Sequence, residues 1–202
     1  MFHQRFHQAS TSVPAIPALI RPGLPVVSVF GLGRAGLTAV AALAGLGCRV
    51  IGVDGDPDRI AALETGTCGI HGDGLQAMLD HGRVMGRIAA SDDILTAVGQ
   101  SDITLVAPGA GPEDADRCDP YPLMVMGRTL GAAIRLKGAA HGVILHAPDA
   151  AGLCAAVLAP ALAQGCGREG GHRLSAMPVP SRDDDPMRRF RHILSDFLSP
   201  AR

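Results

Sequence analysis

The sequence VVSVFGLGRAGLTAVAALAGLGCRVIGVD, residues 26–54, decides the fold. Val26–Phe30 is a short apolar run rich in β-branched residues, which predicts a buried strand. The glycines that follow it have the G-x-G-x-x-G spacing, at Gly31, Gly33 and Gly36. The first glycine allows the turn out of the strand, and the second lets the backbone approach a pyrophosphate. The third allows the next helix to pack closely on the strand.

A helix is predicted after this turn, from about Ala35 to Leu46, with Gly47 as its C′ residue. The free N–H groups and positive dipole end of such a helix bind anions. Cys48–Val53 is predicted to be the second strand. Asp54 at its carboxyl end would accept hydrogen bonds from an adenosine ribose and repel a 2′-phosphate. The pattern therefore predicts a site for NAD rather than NADP, and the alternative is a Rossmann unit that keeps the turn for folding alone.

Composition limits the classes of function. The chain has 202 residues, 47% of them hydrophobic, and a formal net charge of −1. A basic stripe is missing, so nucleic acid is not a predicted partner. No apolar run reaches the ~18 residues needed to span a bilayer, so no membrane segment is predicted. The five cysteines lack C-x-x-C spacing, which favours reduced thiols in the cytoplasm and no metal site.

Three segments are predicted along the chain. Residues 1–25 read as a flexible N-terminal arm, 26–180 as the Rossmann domain, and 181–202 as a charged C-terminal tail. Apolar residues recur at helical spacing in the tail, which predicts an amphipathic helix that docks on the body or on a partner, for example in a homodimer. These residues are Phe190, Ile193, Leu194, Phe197 and Leu198.

Helices and strands alternate between Asp54 and the tail. Helices are predicted at 57–65, 74–82, 92–98 and 150–164, and a further helix is predicted to follow residues 119–122 and to run to about Lys137. Strands are predicted at 87–90, 103–107, 142–146 and 172–177. Ser91 or Asp92 is the expected cap of the helix at 92–98. This alternation predicts the α/β class, with a Rossmann-type, doubly wound, mainly parallel sheet and helices on both faces.

Five phrases in this stretch resemble the UDP-glucose/GDP-mannose 6-dehydrogenase family. The family reads approximately G-L-G-Y-V-G, then G-V-D-x-[ND]-P-x-[KR]-[IV]-x-x-L-x-x-G, P-I-x-E-P-G-L-x-x-L, G-R-L-x-x-[ST]-x-D and V-G-T-P. The counterparts here, in the same order, are Gly31–Gly36, Gly52–Gly66, Gly69–Leu79, Gly86 to Asp92 or Asp93, and Val106–Gly109.

The resemblance implies a domain that holds NAD while a nucleotide-sugar 6-hydroxyl is oxidised to a uronic acid, through an aldehyde and a cysteine thioester. Together the glycine turn and the resemblance predict the residues that bind the cofactor: Gly31, Leu32, Gly33, Arg34, Ala35, Gly36, Asp54, Arg59, Ala107, Pro108 and Gly109.

Departures from the family pattern limit the predicted activity. Arg34 replaces a tyrosine, and Pro108 replaces the threonine expected over the reacting centre. The family's G-G-x-C-x-P-K-D nucleophile segment would begin near where this sequence ends, so no catalytic residue is assigned. The expected role is an NAD-binding part of polysaccharide-precursor synthesis that needs a nucleotide sugar and a separate catalytic subunit. The alternative is a non-catalytic NAD-sensing or assembly module, including one like the potassium transport regulators, which share G-x-G-R-x-G.

Overall fold

The computed structural model describes residues 23–69, 74–108, 120–147, 150–167, 172–178 and 185–198. Six strands form one sheet: β1 Val26–Phe30, β2 Arg49–Val53, β3 Ile88–Ser91, β4 Ile103–Val106, β5 His141–Ala147 and β6 His172–Pro178. Their order is β3-β2-β1-β4-β5-β6, and every neighbouring pair is parallel. The chain reverses its direction of winding between β1 and β4, as Rossmann folds do. The predicted fold class is therefore confirmed.

Helices cover both faces of this sheet. They are α1 Arg34–Gly45, α2 Pro57–Thr65, α3 Leu75–Val84, α4 Ile94–Gln100, α5 Pro120–Lys137, α6 Ala150–Leu153, α7 Ala159–Cys166 and α8 Pro186–Leu198. Successive strand residues point to opposite faces, so Val29 joins a core with α1, α3 and α8, while Phe30 joins one with α4, α5 and α7.

The cap of α4 differs from the prediction. Asp93 caps the helix, because its Oδ1 accepts hydrogen bonds from the N–H groups of Leu95 at 2.9 Å and Thr96 at 3.2 Å. Ser91 instead pairs with Val53 as the last residue of β3. The strand register therefore holds Ser91 in extended backbone and delays the start of the helix, which made the predicted cap wrong.

The element predicted at 150–164 is not one regular helix. A π-helical segment, Cys154–Leu158, separates α6 from α7. Pro160, the second residue of α7, has no N–H to donate to a carbonyl one turn back. A wider turn before the proline accommodates this missing donor.

Four buried polar side chains form a hydrogen-bonded chain at the amino edge of the sheet. Ser101 Oγ donates to Ser28 Oγ at 3.0 Å, Ser28 pairs with Thr104 Oγ1 at 2.7 Å, and Thr104 pairs with His141 Nε2 at 2.8 Å. Lys137 Nζ lies 3.1 Å from His141 Nδ1 and also donates to the Ser101 carbonyl. Since the ammonium can only donate, Nδ1 is the acceptor and Nε2 carries the proton.

Helix α8 packs on the body of its own chain. Phe190 is 3% exposed and Leu194 is 5% exposed, and both belong to the core around α1. The Phe190 ring meets the His146 imidazole edge to face, with 5.9 Å between ring centroids. A helix is thus present in the tail at Pro186–Leu198, and it buries Phe190 and Leu194 of the predicted apolar stripe. None of the helices in the described parts of the chain has the length and apolarity to cross a membrane.

Candidate cofactor site

The first glycine of the turn lies between two strands. Gly31 has φ +94° and donates its N–H to the Val53 carbonyl at 2.8 Å. A Cβ at Gly31 would overlap the carbonyl oxygen of Ala107. Ala107 in turn donates its N–H to the Phe30 carbonyl at 2.8 Å. The turn therefore packs between the end of β2 and the end of β4. Only glycine at position 31 leaves room for this close approach.

The third glycine brings α1 onto the turn. A Cβ at Gly36 would overlap the Gly31 carbonyl oxygen and lie 2.9 Å from its carbonyl carbon. Gly33 forms the N-cap in extended backbone, and no side chain caps the helix there. The first N–H groups of an α-helix have no partner within the helix. In α1 these are the donors of Arg34, Ala35 and Gly36, which are suited to an anion.

Asp54 follows β2 and joins the turn through its carboxylate. Its Oδ2 accepts the N–H of Leu32 at 2.6 Å, and its Oδ1 accepts the N–H of Asp56 at 3.0 Å. Burial would raise the pKa of this carboxyl group. The two backbone donors and the Arg59 guanidinium outweigh burial and hold the pKa below its usual value. Asp54 is therefore an anion fixed beside the turn.

Arg59 lies over the outer side of that carboxylate. Its Nη1 is 3.3 Å from Asp54 Oδ2, and its Nε is 3.5 Å from Asp56 Oδ2. The Arg59 side chain is 49% exposed, whereas that of Asp54 is 11% exposed. A carboxylate offers about four acceptor positions, and three donors reach Asp54 here. One position is left for a ribose hydroxyl, and movement of the exposed guanidinium would free a second.

The residues present thus fit a dinucleotide. The uncapped first turn of α1 suits a pyrophosphate, and the fixed carboxylate suits an adenosine ribose. Sequence reasoning did not find that Asp54 binds the turn itself through Leu32. The D-x-D-P-x-R spacing from Asp54 to Arg59 indicates the ion pair between Asp56 and Arg59, because Asp56 caps α2 and Arg59 lies three residues later on that helix.

Other predicted site residues have different surroundings. The Leu32 side chain is buried, so Leu32 contributes to this turn through its backbone. Arg34 is exposed, whereas Ala35 is half-buried. Ala107 is buried and supports Gly31, Pro108 is half-buried, and Gly109 lies outside the described residues.

The described cysteines do not form a reactive site. Burial raises the pKa of all four of these thiols, and that of Cys48 reaches about 11 despite the nearby charge of Arg87. Such thiols stay protonated at neutral pH and are poor nucleophiles. The four are Cys48, Cys68, Cys154 and Cys166. Within the described ranges no group of three or more His, Cys, Asp or Glu side chains is arranged to hold a metal ion.

Comparison with known proteins identifies the family. The model of the UDP-glucose/GDP-mannose dehydrogenase family, NAD binding domain, matches residues 26–169. The chain belongs to this family. GDP-mannose 6-dehydrogenase from Pseudomonas aeruginosa is 30% identical over 145 residues, which cover 72% of this chain and 33% of that protein. UDP-glucose 6-dehydrogenase AglM from Haloferax volcanii is 27% identical over 175 residues, or 86% of this chain and 39% of that protein.

Solved structures of the UDP-glucose/GDP-mannose dehydrogenase family have the same fold. A ternary complex of GDP-mannose dehydrogenase from Pseudomonas aeruginosa superimposes with a TM-score of 0.71 and 27% identity, covering 81% of this chain and 38% of that one. A UDP-glucose dehydrogenase from Pyrobaculum islandicum gives 0.72 and 25%, covering 89% and 44%. The predicted family is confirmed, and the cofactor of its NAD-binding domain is NAD. The chain spans about a third of the length of the curated relatives it matches.

Proposed function

We propose that these 202 residues supply the NAD-binding half of a nucleotide-sugar 6-dehydrogenase, with the pyrophosphate at Gly31–Gly36 and the adenosine ribose on Asp54. The observation that carries the proposal is the pairing of an uncapped helix start with an ionised carboxylate that is already fixed beside it. A polypeptide segment outside these residues supplies the nucleophile. We place the activity in the cytoplasm, in the synthesis of uronic acid precursors of polysaccharides.

Cofactor binding tests this assignment. Calorimetry should show NAD binding at least tenfold tighter than NADP, because the 2′-phosphate would face the Asp54 carboxylate. Asp54→Ala should erode that preference. Asp54→Asn, which keeps an oxygen for the Leu32 N–H, should do so without a folding defect. Asp58→Ala is the matched control, since Asp58 is exposed on the first turn of α2 and lies outside the proposed ribose contact.

Two results would count against the assignment. Equal affinity of the wild-type protein for NAD and NADP would remove the role of Asp54. Failure to bind either dinucleotide would leave the turn with a folding role only.

The described residues orient a cofactor, but they do not provide a nucleophile for the second oxidation, in which the aldehyde becomes a cysteine thioester. When bound, NAD accepts the hydride from the sugar carbon. The turn and Asp54 fix the position of that cofactor, and Ala107 supports the turn from the end of β4. Thioester formation needs an activated thiolate and an oxyanion stabiliser beside the sugar carbon. The raised pKa of the described thiols argues against them as that nucleophile.

Turnover by the isolated chain is therefore expected to be close to background. Loss of positioning alone can remove about 7–11 kcal/mol of barrier lowering. The measurement is NADH production from UDP-glucose and GDP-mannose, repeated after each cysteine is replaced by serine. Robust turnover that one substitution abolishes, Cys118→Ser for example, would show that a nucleophile exists within this chain.

A non-catalytic NAD-sensing or assembly module is the second candidate. Pro108, which replaces the family's threonine after β4, favours it because proline offers neither a hydroxyl nor an N–H. Adding a catalytic half from a relative separates the two candidates. Restored NADH production supports the dehydrogenase, whereas NAD binding without restored turnover supports the sensor.

Sedimentation with and without residues 186–202 tests whether the tail forms a homodimer.

A further inference from the structure

Helix α5 carries a row of apolar side chains on its outer surface. Tyr121 is 65% exposed, Val125 45% and Leu136 71%, and they make up half of the six large apolar side chains exposed among the described residues. Thr129 and Ala132, both half-buried, continue the row at spacings of three and four residues. This is the spacing of one helix face. Single apolar side chains on a surface need no explanation, but a continuous set of them marks an interaction site. These five residues are called the α5 apolar row.

The row is not covered within its own chain. On the opposite side of α5, a Cβ at Gly131 would overlap the Leu162 carbonyl oxygen in α7 and lie 2.9 Å from the Cα of Gly165. Because the two backbones are in direct contact, α5 cannot rotate to bury the row. The apolar residues Phe190 and Leu194 of the tail are buried around α1, on the other face of the sheet. The row is therefore available to a second molecule.

Charges on and before α5 limit what that molecule can be. The helix contains no acid, and Arg128 and Arg135 are exposed beside the row. They are seven residues apart, which places them on the same side of the helix. The preceding residues 113–119 contain four acids and one arginine. This segment lies outside the described residues, but the peptide bond from Asp119 to Pro120 places an acid next to the start of α5. A partner that matches α5 thus needs acids opposite its last turns.

We propose that the α5 apolar row is the contact surface between two copies of this chain, with the two helices antiparallel about a twofold axis. A twofold contact uses the same patch on both copies. With the axis at the middle of the row, Tyr121 faces Leu136 of the second copy. Val125 faces Ala132 of the second copy, so a larger side chain meets a small one. This inference goes beyond the proposed function and does not depend on it, because no nucleotide takes part in the contact.

The charges favour the antiparallel orientation. In a parallel pair, Arg128 and Arg135 would each lie beside the same arginine of the other copy, and like charges at such positions repel. In the antiparallel pair, Arg135 comes to the start of the second helix, which Asp119 precedes. Each copy therefore supplies the acid that the last turns of the other helix require.

Sedimentation over a range of protein concentrations tests the contact. Wild type should show a concentration-dependent dimer. Val125→Lys should raise the dimer dissociation constant at least tenfold, because its ammonium group would lie one turn from Arg128 and Arg135 of the second copy. Val125→Glu should weaken the dimer less, since the same arginines would attract its carboxylate. Val84→Lys is the matched control, because Val84 is 85% exposed and ends α3 on the other face of the sheet. All three variants should melt at the wild-type temperature.

Disulfide formation tests the orientation separately. The double variant Val125→Cys/Ala132→Cys should crosslink two copies on oxidation, because these positions face each other. Neither single variant should do so. Equal positions of the two helices would be seven residues apart along the axis, or about 10 Å, and a disulfide needs Cα atoms within about 7 Å. Oxidised wild type is the control for the native cysteines.

Several outcomes would overturn the proposal. One is a wild-type protein that sediments as a monomer at the highest concentration, and another is a dimer that Val125→Lys leaves intact. Equal weakening by Val84→Lys would show a general charge effect instead of a contact at the row. Crosslinking of the single cysteine variants would refute the antiparallel orientation. A monomer that binds NAD would refute this contact and leave the proposed function standing, so the two failures are distinguishable.

Discussion

Replacement of Gly36 by alanine tests whether close packing of α1 on the turn creates the cofactor site. The added Cβ would overlap the Gly31 carbonyl oxygen and come within 2.9 Å of its carbonyl carbon. Both atoms are backbone, so relief requires α1 to move away from the turn rather than a side chain to rotate. Overpacking of this kind costs about 1–3 kcal/mol. The higher helix propensity of alanine offsets about 1 kcal/mol of that cost.

Gly45→Ala is the matched control, because it makes the same change in the same helix. The nearest atoms to a Cβ there are the ends of Met187 and Met78 at 3.3 Å, and both side chains are flexible. We expect Gly45→Ala to leave the free energy of unfolding unchanged or raise it by up to about 1 kcal/mol. The two variants should therefore differ by about 2 kcal/mol in urea denaturation.

NAD affinity should separate the variants further. A displacement of α1 by about 1 Å moves the donors of Arg34 and Ala35 out of hydrogen-bonding distance of a bound phosphate. Gly36→Ala should thus weaken NAD binding at least tenfold in calorimetry, and Gly45→Ala should leave it within twofold. If Gly36→Ala retained wild-type stability and NAD affinity, the reasoning from close packing would be refuted.

Two further predictions concern parts of the chain away from the turn. Phe190→Ala, or truncation after Asp185, should lower the free energy of unfolding by up to about 3–5 kcal/mol through loss of α8 packing. Urea denaturation measures this loss, and the exposed control His192→Ala should leave the midpoint unchanged. An unchanged midpoint for Phe190→Ala would contradict the prediction. Burial and the charge of Lys137 lower the pKa of His141 to about 4 from 6.5, despite the opposing effects of Asp102 and a backbone hydrogen bond. The unfolded chain therefore binds a proton at higher pH than the folded one, and up to about 3 kcal/mol of stability should disappear as the pH falls from 6.5 to 4. His141→Gln should flatten that slope, and an unaltered slope would refute the assignment.

The glycine turn could be predicted from sequence because its requirements are local. Gly31, Gly33, Gly36 and Gly47 follow from steric rules that act over a few residues. At the end of α1, the Gly47 N–H donates to the Ala44 carbonyl at 3.0 Å, and the φ of Gly47 is +98°. The predicted helix end is consequently off by one residue only.

Features that depend on contacts between distant segments could not be predicted. The hydrogen bond from the Leu32 N–H to Asp54 joins residues that are 22 apart in sequence. The polar chain at the amino edge joins β1, β4 and β5, and no spacing rule connects Ser28 with His141. The tail shows the same limit, because its periodicity predicts an apolar stripe but not the surface that covers it. In the structure, His146 is part of that surface, because its ring contacts Phe190.

The two edges of the sheet differ in the hydrogen bonds that they leave open to a ligand. At the amino edge, the polar chain from Ser101 to Lys137 finds its hydrogen-bond partners within the protein, beside a cavity of about 680 Å³ that borders His141. At the carboxyl edge, the first turn of α1 has no side-chain cap, and Asp54 keeps an acceptor position. New hydrogen bonds are therefore available at the carboxyl edge. His141→Gln should accordingly change stability but not NAD affinity, whereas Gly36→Ala should change both.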